Sequence, residues 1–154
     1  MSMDIPGPDK LADLVSGVTE TMFGMSFALA PPRDTSPWNT MPPWRTVLLP
    51  IHGRRPITVA IAADEQGGRV LGSRMFSCDA ASVDASMIDD SLRELANIVA
   101  GQVKSVMGLD QALGLPTVGD PGQRLEMSTW RAATLQSPAE RIVVWVAVSE
   151  TPAT

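Results

Sequence analysis

The apolar positions of this chain fall into two helical repeats separated by strand-like runs. Over residues 9 to 25, Leu11, Leu14, Val15, Val18, Met22 and Met25 recur at steps of three and four. That is the period of a helix burying one stripe, and Pro8 and Asp9 suit its start. A longer and more regular repeat occupies residues 85 to 107. Leu92, Leu95, Ala96, Val99, Val103 and Met107 track one side, and Gly108 is placed to end it.

Between these helices the pattern changes to runs rich in Val, Ile, Leu or Thr: Arg45 to Pro50, Ile57 to Ala63 and Val70 to Cys78. Asp64-Glu65-Gln66-Gly67-Gly68 has hairpin-turn chemistry, which predicts that the second and third runs are antiparallel neighbours. His52-Gly53-Arg54-Arg55-Pro56 makes a similar break and puts His52 at a strand end. Its two arginines read as an anion site or, more commonly at such a place, as a solvated loop.

After the second helix comes a linker with Leu115-Pro116-Thr117-Val118 and Asp120-Pro121-Gly122. Two further strands are predicted at Leu125 to Leu135 and Arg141 to Ser149, with the turn at Ser137-Pro138. Ile142 to Val148 is apolar throughout, as expected of a central strand covered on both faces. Seven of the thirteen prolines lie between Pro31 and Pro56, so residues 31–44 are expected to form a loop. Trp38 and Trp44 in that loop could form an exposed partner patch, but large rings in irregular segments more often fold back to cap the core. The resulting expectation is an α+β fold, an antiparallel sheet of about five to six strands packed with two long helices. Residues 1–154 would form one domain, with 151–154 as a disordered tail.

Composition narrows the function classes. With 154 residues and 44% apolar content, the chain can build one core of its own. Seventeen acids against twelve Lys and Arg give a net charge of −5, which argues against nucleic acid or an anionic membrane as partner. The lone Cys78 cannot close an internal disulfide or build a multi-cysteine metal site. The lone His52 leaves a Ser-His-Asp triad possible only around that one ring. The longest greasy run, Met22 to Ala30, is broken by Gly24 and Ser26; neither a signal peptide nor a membrane span is predicted, and a soluble cytoplasmic protein is expected.

The polar side of the second helix carries the candidate chemistry. At about 100° per residue, Asp90, Glu94, Asn97 and Gly101 fall opposite the apolar stripe and within roughly 60° of one another. A solvated helix face is the plain reading of such a strip. Two residues argue for more: Asn prefers caps and turns, and Gly in a helix interior costs up to about 1 kcal/mol relative to Ala. Neither improves the helix, and both make sense if another surface must lie flat against it.

The stretch Asp90-Ser91-Leu92-Arg93-Glu94-Leu95-Ala96-Asn97-Ile98-Val99-Ala100-Gly101-Gln102-Val103-Lys104 resembles the signature helix of the CheX-type chemotaxis phosphatases. These are relatives of the CheC phosphatases and of the FliM flagellar-switch middle domain. Glu20-Thr21-Met22-Phe23-Gly24-Met25, the Gly67 to Cys78 strand and Leu115-Pro116-Thr117-Val118 stand in the order such proteins show. CheC-type members carry two Glu-x-x-Asn motifs, whereas here only Asn97 has a Glu three residues before it, Asn39 being the other asparagine. That favours the one-site CheX type.

The resemblance implies hydrolysis of the aspartyl phosphate on a CheY-like response-regulator receiver domain. Glu94 would pair with the receiver's active-site Lys, and the Asn97 amide would orient the attacking water. Asp90, Ile98 and Gly101 would contact the partner, Asp90 having a helix N-terminal role as its alternative. No cofactor or metal of its own is implied, since Mg²⁺ is expected on the receiver, and a homodimer joined through sheet edges is implied as well. A non-catalytic adaptor binding a receiver or flagellar component through the same face is the competing class. A small-molecule sensor using Trp38 and Trp44 has only those aromatics in its favour.

Overall fold

The protein is described by a computed structural model over residues 5–30, 45–118, 131–137, 139 and 142–150. The 31–44 loop with Trp38 and Trp44, the first residues of the Leu125 to Leu135 run and the 151–154 tail lie outside the described residues.

The first helical repeat forms α1 (Pro8–Phe23), which has Pro at its start and ends where Gly24 takes a left-handed conformation (φ 65°) and bonds back to Glu20 O and Thr19 O. The second forms α3 (Ala85–Val106), whose buried positions include Leu92, Leu95, Ala96, Val99 and Val103, the stripe that the periodicity predicts. Between them lies α2 (Glu65–Phe76). Among the described residues no helix is long and apolar enough to cross a membrane.

The strands are β1 (Ala28–Leu29), β2 (Arg45–His52), β3 (Ile57–Ala63), β4 (Ala112–Leu113), β5 (Thr117–Val118), β6 (Arg131–Ser137) and β7 (Ile142–Ser149). They make one antiparallel sheet in the order β1-β6-β7-β3-β2-β4, with β5 also on β2. The α+β class and the antiparallel sheet are as expected. Strand β7 is central, between β6 and β3. Its Val144, Val146 and Val148 join the main core with Val59 and Ile61, while Trp145 and Ala147 join Ala60 and Ala62 in a second buried cluster. Helix α3 lies over β2 and β3, α1 over β6, and α2 against β7 and α3.

One expectation is overturned. Residues Val70 to Cys78 are not a strand, and Asp64 to Gly68 is not a hairpin turn: the segment is helix α2. Asp64 caps it, its Oδ1 accepting from Gly67 N at 2.7 Å. The glycines serve packing rather than a turn. A Cβ at Gly68 would lie 2.6 Å from the Ile88 side chain, and one at Gly72 would lie 2.7 Å from Val83 Cγ1. Spaced i, i+4, the two glycines let α2 approach α3 and the segment before it closely. The neighbours of β3 are β7 and β2, the latter through the Gly53 to Pro56 hairpin, with Ile51 opposite Ile57 and Arg45 opposite Ala63.

Candidate functional site

Helix α3 is held by its buried stripe and by two contacts near its start. Asp84 caps it, Oδ1 accepting from Met87 N at 2.9 Å. Asp89 takes a two-pronged grip from Arg45, the first residue of β2, at 2.8 Å from Nε and 3.1 Å from Nη2. This charge-assisted fork ties the helix to the sheet and fixes its rotation about its own axis. The hydrogen bond to Asp89 raises the Arg45 pKa above its ordinary value, with burial opposing.

That rotation turns Asp90, Glu94 and Asn97 outward. All three are exposed, and Ile98 and Gly101 are half-buried beside them. Glu94 and Asn97, three residues apart, present Cβ atoms about 5–6 Å from each other. Among the described residues neither side chain has a hydrogen bond or ion pair, so a carboxylate and a carboxamide stand side by side with their polar atoms uncommitted. Gly101, one turn on, has nothing within 4 Å of where a Cβ would be. Packing among the described residues therefore gives no reason for a glycine there.

Asp90 is different. Its carboxylate takes a hydrogen bond from Arg93 Nη1 at 3.0 Å, an exposed i, i+3 pair. With Asp84 as the cap, Asp90 lies beyond the first helical turn, which excludes the N-terminal role. An exposed pair of this kind contributes at most about 1 kcal/mol, so the carboxylate is easily redirected to another cation.

Among the described residues, those away from α3 add no second centre. His52 ends β2 and is exposed. Of the two loop arginines, Arg55 is engaged rather than solvated: its Nε donates to Glu150 Oε1 at 3.0 Å, and its backbone is clasped by Gln111 at N and O. Arg55 holds the Glu150 carboxyl below its ordinary range. Among the described residues no group of three or more His, Cys, Asp or Glu could hold a metal ion.

The polar strip is bordered by a feature that the sequence did not disclose. Between helices α1 and α3 lies a groove of about 340 Å³ lined by residues of both, including Gly17, Met22 and Ile98. Its faint signal in the sequence was Gly17, an interior helix glycine like Gly101, but the groove depends on which two helices become neighbours.

The model of the family described as chemotaxis phosphatase CheX matches residues 45–129, which include the whole of α3. No curated protein sequence matches the chain. In solved structures the fold is similar to CheX from Vibrio vulnificus, at TM-score 0.69 and 14% identity over 90% of this chain and 92% of that one. It is similar also to a chain of the CheX-CheY-BeF3-Mg²⁺ complex from Borrelia burgdorferi, at TM-score 0.70 and 16% identity over 95% and 98%. A more distant likeness, TM-score 0.63 and 9% identity over 92% and 82%, is to the FliM-SpeE complex from H. pylori.

Proposed function

The chain belongs to the family of the chemotaxis phosphatase CheX, and from that membership we propose that it hydrolyses the aspartyl phosphate of a CheY-like receiver domain in chemotaxis or a related two-component pathway. The observation that carries the reading is the outward-facing, uncommitted Glu94 and Asn97 on a helix inside the matched region. The similar Borrelia burgdorferi CheX was crystallised with CheY, beryllium fluoride and Mg²⁺, which supports a receiver as partner. A cytoplasmic site of action goes with that partner.

In the proposed reaction the helix lays its polar strip against the receiver's phosphorylated pocket. Glu94 pairs with the receiver's Lys and sets the register. The Asn97 amide holds a water in line with the phosphorus. The water oxygen forms a new bond to phosphorus as the bond from phosphorus to the aspartyl oxygen breaks. The receiver regains a carboxylate, and the water's protons leave with inorganic phosphate and solvent. An amide is no base, but phosphoryl transfer proceeds through a loose transition state, so orienting the water supplies much of the effect. Mg²⁺ would be carried by the receiver. Because both side chains sit on one rigid helix, their separation is set before docking.

The test is a timed loss of radiolabelled phosphate from receiver domains with and without the protein. Accelerated decay on at least one receiver is the expected result. Fold likeness to FliM favours a second reading, an adaptor that binds a receiver and leaves its decay unchanged; binding without acceleration would select it.

A further inference from the structure

Gly17 and Gly101 differ from the other glycines of the helices. At Gly68 and Gly72 a Cβ would strike Ile88 or Val83, so packing within the chain requires their small size. At Gly17 and Gly101 nothing lies within 4 Å of a Cβ, yet glycine weakens a helix interior relative to alanine. Gly17 lines the groove between α1 and α3, and Gly101 lies one helical turn from Asn97 on the strip. Half-buried Leu14, Met22 and Ile98 give the groove an apolar lining, and Asp13 and Gln102 stand exposed at its lip.

We infer that this groove is a second docking point for the phosphorylated receiver domain, accepting one apolar side chain with a Lys or Arg beside it facing Asp13. The inference rests on the reading that Glu94 and Asn97 enter that receiver's phosphorylated pocket. Continuity selects this occupant. Ile98 follows Asn97 directly, and Gln102 lies only about 7 Å further along the axis. A domain of receiver size is about 30 Å across, so one seated on Asn97 overlies the groove. Charge agrees: Asp13 at the groove and Asp90 and Glu94 on the strip are exposed acids, which a basic segment would complement. Gly17 then keeps the α1 surface low where the visiting side chain passes, as Gly101 does for the surface seated on the strip.

Contacts of this kind are the same before and during the reaction, so they act on KM and leave kcat unchanged. Gly17→Leu fills the groove from a position with free space and better helix propensity, and Asp13→Arg reverses the charge at the lip. With acetyl-phosphate-charged receiver domains as the probe, each variant should raise KM about tenfold at unchanged kcat, with no loss of melting temperature. If wild type accelerates decay, Asn97→Ala abolishes it and both groove variants keep the wild-type KM, the groove inference is overturned and the reading of the strip stands. If wild type accelerates the decay of no receiver, both fall together. A change of sedimentation behaviour in Gly17→Leu with KM unchanged would give the groove to a second copy of this chain and overturn the inference.

Discussion

Asn97→Ala separates folding from chemistry because the structure predicts opposite signs for the two. The Asn97 side chain is exposed in the middle of α3 and has no hydrogen bond among the described residues. Truncation leaves no cavity and no orphaned buried partner. What remains is helix propensity, in which Ala exceeds Asn by about 0.5 kcal/mol. For a domain of this size that is a rise of about 1–2 °C in melting temperature. Activity should move the other way. Loss of one positioned hydrogen-bonding group aimed at a reacting centre lowers kcat by roughly 10²–10³, so acceleration of receiver dephosphorylation should fall to near the spontaneous rate. Two measurements decide the matter: thermal melting of both proteins, and decay of a phosphorylated receiver at saturating enzyme. A variant that melts several degrees lower would make Asn97 a structural residue. One that melts higher and hydrolyses as fast as wild type would refute the role of the amide outright.

Further outcomes follow from the same contacts. Glu94→Lys should weaken association with the receiver through like charge against the partner's Lys, and an unchanged Kd in a titration would remove Glu94 from the interface. Two Gly→Ala changes should have opposite signs in urea unfolding. Gly101→Ala gains up to about 1 kcal/mol, since nothing lies within 4 Å of the new methyl. Gly72→Ala loses about 1 kcal/mol net, because buried Val83 must give way to a Cβ at 2.7 Å. Glu150, whose pKa is lowered by Arg55, contributes stability present above the ordinary carboxyl value of 4.5 and lost as pH falls through the depressed one. Glu150→Gln should therefore reduce stability by under about 1 kcal/mol at neutral pH, and the difference from wild type should vanish in acid.

The readable parts of this molecule are those in which neighbours in sequence suffice to define the element. The α3 stripe from Leu92 to Met107 and the all-apolar run of β7 reported their burial through local period alone, and the outward strip of α3 followed from the same geometry. The failure at α2 has a definite cause. Asp64 and the following glycines serve a hairpin turn and a capped helix equally well in local terms. Their actual role depends on Ile88 and Val83, which arrive from later in the chain. The groove between α1 and α3 was beyond reach for the same reason, and so was the Arg45 grip on Asp89 across 44 residues.

Helix α3 tolerates its two poor helix formers because its stability is not local. Asn97 and Gly101 together cost the helix about 1.5 kcal/mol against Ala. Burial of Leu92, Leu95, Val99 and Val103, each with no exposed surface, offsets that several times over at about 1.5–3 kcal/mol per large side chain. The capping Asp84 and the Arg45 fork then hold the rotation that faces the strip outward. The outer positions are thereby released from any duty to the fold, and their residue types can be set by what docks there. A strip carried on so rigid a rod also loses little conformational freedom on docking, which keeps the binding energy available for holding the water in line.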